Sequence, residues 1–159
     1  MMSRLWLPLL VLAAAIIISY LLFGIAPYTI SGDSMDPLLR EGDVVLVDRV
    51  LWRLGGPREN SVMTFYDNGK TIVKRTVLLE KQSVKIDENY GIYVHGRYLP
   101  LNPQVDWAIE GGYLHIPENN YFVLGDNLSQ SLDSRHYGLI NKKRINGTVL
   151  GVLYHESGH

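Results

Sequence analysis

The chain has 159 residues, enough for one folded domain plus an additional segment. Its 15 basic and 16 acidic side chains leave a net charge of -1, which argues against a general nucleic-acid binder. The absence of cysteine excludes disulfides, thiolate catalysis and Cys-ligated zinc.

No residue from 5 to 31 is charged, and residues 5–23 are a predominantly apolar run. At about 1.5 Å per residue a helix of that length spans close to 30 Å, the hydrocarbon thickness of a bilayer. Pro8 falls in the first turn, where a missing N–H costs little, and Trp6 and Tyr28 flank the run as interfacial aromatics do. A cleaved signal sequence is the competing reading, because Gly24-Ile25-Ala26 is a small-x-small pattern. Pro27 would then follow the cut and restrict the extended backbone a protease needs, so an uncleaved anchor is expected. Arg4 and the amino terminus are the only positive charges before the span, which favours a cytoplasmic N-terminus and an exported body. The expected division is an anchor over residues 1–28 and a β-rich domain over 29–159.

From residue 43 onward, short runs rich in Val, Ile, Leu, Tyr and Thr alternate with Gly, Asn, Asp and Pro, the pattern of an all-β domain. Strands are expected over residues 44–48, 62–66, 71–79, 83–86, 92–94, 121–124 and 148–154, with a loop over 51–60. Asn68-Gly69 is the preferred pair for a two-residue type I′ turn. That turn sets a register with Asp67 opposite Lys70, Tyr66 opposite Thr71, Phe65 opposite Ile72, Thr64 opposite Val73 and Met63 opposite Lys74. Lys74 therefore shares a face with Met63, Phe65, Ile72 and Leu78, an unusual place for a lysine. Residues 80–120 read as a small β insert, with a hairpin over 90–100 and then a loop.

Three segments carry groups able to do chemistry. Ser31-Gly32-Asp33-Ser34-Met35-Asp36-Pro37 forms a turn that can present the Ser34 hydroxyl among free backbone N–H groups, or serve as a polar linker. Lys74, set among apolar residues, can have a lowered pKa and act as a base, or can snorkel to water. Residues 125–138 are dense in polar side chains, among which Asp133 and Arg135 can pair and Ser131 can orient an amine; any polar surface loop could look the same.

Taken together, the three segments resemble the type I signal peptidases, membrane-bound serine proteases that use a Ser/Lys dyad. Gly32-Asp33-Ser34-Met35-Asp36-Pro37 matches the family's nucleophile box, Gly42-Asp43-Val44-Val45-Leu46-Val47 looks like its second box, and Lys74-Arg75 matches its Lys-Arg pair. Gly125-Asp126-Asn127 through Ser131, Asp133, Ser134, Arg135 and Gly138 matches the last box. The resemblance implies a mainly β, signal-peptidase-like catalytic domain behind a transmembrane helix. It also implies Ser34 as nucleophile and Lys74 as general base, with Gly32, Met35, Ser131, Asp133 and Arg135 in support. Ser131 corresponds to the serine that holds the lysine.

Gly32 lacks the hydroxyl that some relatives add to the oxyanion hole, which leaves the Ser34 N–H as the main donor. Leu38, residues 78–82 and Leu128 depart from the family pattern, as a specialised member would. The implied substrates are signal peptides of exported preproteins, cut after an Ala-x-Ala pattern at the membrane surface. The expected partners are those peptides and membrane lipid, with no nucleic acid. A peptidase dedicated to one substrate, such as a pilin precursor, and a non-catalytic membrane-tethered β-domain are the alternatives. His155-Glu156-Ser157-Gly158-His159 spells H-E-x-x-H, but it follows a strand-like run and contains glycine, so neither a metal nor another cofactor is expected.

Overall fold

The computed structural model describes residues 6–155. Predominantly apolar side chains and the placement of Pro8 in the first turn give α1, Trp6–Phe23, none of whose residues is buried. It is long and apolar enough to cross a membrane. The helix closes with Gly24 N–H donating to Tyr20 O at 2.7 Å, and the chain turns at once into β1, Ile25–Thr29.

The remaining strands follow in chain order: β2, Val44–Asp48; β3, Val62–Asp67; β4, Lys70–Leu78; β5, Ser83–Lys85; β6, Gly91–Val94; and β7, Arg97–Pro100. Then come β8, Ile109–Glu110; β9, Tyr113–His115; β10, Asn120–Leu124; β11, Ile140–Asn141; and β12, Ile145–Tyr154. Two short helices, α2 (Trp52–Gly55) and α3 (Ser134–Tyr137), lie between strands. The main sheet has the order β1-β2-β12-β3-β4-β10-β11. Tyr28 on β1 donates its hydroxyl to Thr71 O on β4 at 3.0 Å, although three strands separate the two, so the sheet is curled on itself. The interior of the curl is packed by Ile30, Met35, Leu39, Val45, Val62 and Val73. A second cluster with Met63, Phe65, Tyr121, Val123, Ile140 and Ile145 packs elsewhere against the sheet.

The β3–β4 hairpin has the expected register, from Asp67 opposite Lys70 to Met63 opposite Lys74. Asn68 and Gly69 both have positive φ, 46° and 77°, as a type I′ turn requires. Three expectations need correction. Residues 25–28, assigned to the anchor, form most of β1. Pro27 concealed that strand, and it is tolerated because β1 is the sheet edge, where no ladder N–H is needed on the outer side. The loop over 51–60 contains α2. The stretch after residue 100 is not a loop: a 3-10 helix, Pro103–Ala108, capped by Asn102, leads into β8 and β9, and β9 pairs with both β8 and β5 at the centre of a three-stranded sheet. Strands of two or three residues are too short to show a period of two. The insert shares one core with the main sheet: Ile92, Leu99, Val105 and Leu114 pack with Leu78 and Phe122.

Candidate active site

The turn after β1 is pinched at its base. Ile30 N–H donates to Asp43 O at 2.8 Å, and Gly42 N–H donates back to Ile30 O at 3.0 Å. Burial of Ile30, Met35 and Leu39 pins the excursion to the interior of the curl and leaves Ser34 half-exposed between them. Gly32 has φ of +80°, a conformation that strains any residue with a Cβ.

Lys74 leaves β4 opposite the fully buried Met63 and is itself only 4% exposed. Its Nζ lies 2.6 Å from Ser34 Oγ and donates to Val73 O at 3.1 Å. Burial lowers its pKa from 10.5 to about 8, even though Asp133 and Asp126 act in the opposite sense. A shift of that size corresponds to about 3 kcal/mol of lost charged-state stability. At pH 7 roughly a tenth of such amines are neutral, and a neutral amine can accept the serine proton.

The polar segment after β10 fixes both groups. Asn127 N–H donates to Ser34 O at 3.1 Å, and Gly125 N–H donates to Asp133 Oδ2 at 3.1 Å. Asp133 is fully buried, and burial alone would raise its pKa. A bidentate pair with Arg135, at 2.8 and 2.9 Å, and the Gly125 N–H outweigh that and hold it below the usual carboxylate range. The Ser131 hydroxyl adds to this without a well-formed hydrogen bond of its own. Its Oγ is buried and has no hydrogen-bond partner among the described residues. Lys74 is hydrogen-bonded to Ser34 and Val73 rather than to Ser131.

Two features were invisible in the sequence. Arg75 clasps Asp126 through Nε and Nη2, both at 2.7 Å, and thereby ties β4 to the end of β10 one residue from Lys74. Gly125 is required by close approach: a Cβ there would fall 2.3 Å from Ser131 Oγ and 2.4 Å from Ser34 O. Gly125→Ala should therefore displace the nucleophile turn. We expect a stability loss of about 1–3 kcal/mol and a fall in kcat/KM of about a hundredfold, read by thermal unfolding and peptide cleavage. Wild-type turnover in that variant would show that the crowding is harmless.

His155 places Nδ1 3.1 Å from Asp43 Oδ2, while the rest of the H-E-x-x-H pattern lies outside the described residues. His155 is thus in polar contact with Asp43 just after β12.

An apolar helix running directly into a curled β-sheet, with a serine hydroxyl against a buried low-pKa amine, is an arrangement able to support serine nucleophilic catalysis. The family model described as "Signal peptidase, peptidase S26" matches residues 3–154, and the chain belongs to that family of serine endopeptidases. It is 30% identical over 163 residues to signal peptidase I of Bacillus licheniformis, covering 94% of this chain and 87% of the relative. It is 32% identical over 161 residues to signal peptidase IB of Staphylococcus aureus (strain COL), covering 87% and 83%. Among solved structures, a signal peptidase I from Enterococcus faecalis V583 shares 24% identity with a TM-score of 0.40, over 58% of this chain and 95% of that one. Membership in a peptidase family does not favour the non-catalytic tethered domain, nor do the relatives' names favour a peptidase dedicated to one substrate.

Proposed function

We propose that the chain removes N-terminal signal peptides from exported preproteins, with Ser34 as nucleophile and Lys74 as general base. The observation that carries this reading is the 2.6 Å contact between Ser34 Oγ and the buried Lys74 Nζ. In the neutral state Lys74 takes the Ser34 proton as Oγ bonds to the scissile carbonyl carbon. The resulting oxyanion is placed toward the Ser34 N–H in the nucleophile turn. The ammonium returns its proton to the leaving amine as the C–N bond breaks. Lys74 then takes a proton from water as its oxygen attacks the ester carbon, and returns it to Ser34 Oγ as the acyl–oxygen bond breaks, which restores both neutral groups. Asp133 and Arg135 hold the segment that positions Ser34, and Gly32 and Met35 shape the turn. Ser131, beside Gly125, is the group available to receive the amine when it swings from Ser34.

Substrate shape follows from the sheet. β10 pairs with β4 only from Arg75 to Leu78, so residues 70–74 have a strand neighbour on one side alone among the described residues. An extended peptide can add there by strand pairing. In this proposal α1 spans the membrane once, the chain from β1 onward forms the catalytic domain, and that domain sits on the extracytoplasmic side. Arg4, on which the orientation rests, lies outside the described residues. The full-length protein in lipid vesicles, incubated with several labelled preproteins, should release each mature chain with its N-terminus directly after the Ala-x-Ala pattern. Intact preproteins, or cuts elsewhere, would refute the assignment.

A further inference from the structure

We infer that a cavity beside the nucleophile, edged by Arg97, is a subsite for a glutamate side chain among the first residues of the mature protein. The inference rests on the peptidase reading above and adds a specificity determinant to it. The free edge of β4 ends at Lys74, because β10 pairs with the strand from Arg75 onward. Lys74 is also where the strand meets Ser34. A signal peptide paired with residues 70–74 therefore brings its cut bond to Ser34, and the mature half cannot continue along the sheet. It leaves past residues 125–128, the segment whose Asn127 N–H donates to Ser34 O at 3.1 Å. A cavity of about 360 Å³ lies there. Gly125, which is packed against Ser34 O, is on its wall together with Asp126 and Leu128.

Another wall is the β6–β7 hairpin, whose sequence puts a cation there. His95 and Gly96, with φ of 48° and 76°, make a two-residue turn that sets Arg97 opposite Val94 and Leu99 opposite Ile92. With a period of two, Ile92, Val94, Arg97 and Leu99 share one face, and Tyr93 and Tyr98 share the other. Ile92, Val94 and Leu99 are buried in the insert's core, so Arg97 stands on the packed face, where the pattern calls for an apolar residue. It lines the cavity beside Val77, Val94 and Leu99. Among the described residues the Arg97 side chain makes no hydrogen bond or ion pair. The neighbouring charges are already matched. Arg75 clasps Asp126, and His95 Nε2 lies 3.0 Å from Glu59 Oε1, which pins the hairpin tip to the segment before β3. An apolar-walled cavity with one uncommitted cation fits a side chain of methylenes ending in a carboxylate. Glutamate is such a side chain; lysine would set a second cation against Arg97.

The full-length protein in lipid vesicles would be given peptides spanning an Ala-x-Ala cut, with alanine at the first four mature positions, which span about 13 Å when extended. Each of those positions, and the x of Ala-x-Ala, would in turn carry Glu, Gln or Lys. At one mature position Glu should raise kcat/KM about fivefold over Gln, mainly through KM, and Lys should lower it by a similar factor. Arg97→Gln should erase the difference between Glu and Lys, and Arg97→Glu should invert it. Both variants should cleave the all-alanine peptide as fast as wild type. Equal kcat/KM for the three residues at every position would overturn the subsite and leave the peptidase reading intact. A Glu preference that survives in Arg97→Glu would overturn the assignment to Arg97. A preference confined to the residue before the cut would overturn the placement on the mature side. Failure to cleave any of the peptides would overturn the peptidase reading and the subsite together.

Discussion

Ser34→Ala should lower kcat/KM by about 10⁴–10⁶-fold, the range seen when the nucleophile of a serine protease is removed. Among the described residues, the hydrogen bond this substitution deletes is the one to Lys74, whose amine keeps Val73 O at 3.1 Å. Folding and membrane insertion should therefore survive, with a stability change within about 1.5 kcal/mol. Preprotein cleavage in vesicles, measured beside thermal unfolding, separates the two effects. Turnover within tenfold of wild type would remove Ser34 from the chemistry.

Lys74→Arg should be equally inactive. A guanidinium keeps the charge but cannot give up its proton, so it cannot act as a base. Lys74→Met tests the same amine from the other side. It removes the base yet fills the site with an apolar chain, so it should be inactive and at least as stable as wild type at pH 7. The reason is the buried charge. A folded-state pKa of about 8 against an ordinary 10.5 means that the unfolded chain binds the proton more tightly between those values. Below pH 8 the charged amine is buried at a cost. That cost is relieved as pH rises through the window, so wild-type stability should increase there by about 3 kcal/mol. Lys74→Met should lack this rise. Restored activity in the arginine variant would reduce Lys74 to an electrostatic role, and a parallel pH dependence in the methionine variant would assign the rise to another group.

How much of this was legible depended on sequence distance. α1 could be read from composition, and the β3–β4 hairpin from its two turn residues, which are enough to set Lys74 opposite Met63. That register is local, and local geometry leaves a period in the sequence. The Ser34–Lys74 contact joins residues 40 apart, and Arg75–Asp126 joins residues 51 apart. No spacing rule predicts either, and only the resemblance to a family brought serine and lysine together. The crowding at Gly125 is set by where β10 ends relative to the turn after β1, a tertiary fact with no sequence signal. β1 was hidden by Pro27 and by its junction with the apolar helix. β12 begins three residues earlier than its apolar run suggested, because Ile145 to Gly147 pair with β3 despite the polar Asn146.

The pH dependence of kcat/KM tests the central claim most directly, because it reports the protonation of the free enzyme's essential base. If Lys74 must be neutral to take the Ser34 proton, the rate on a soluble peptide should climb with pH and level off above a midpoint of about 8, the value that burial gives this amine. A profile already flat from mildly acidic pH upward would contradict a lysine base at position 74.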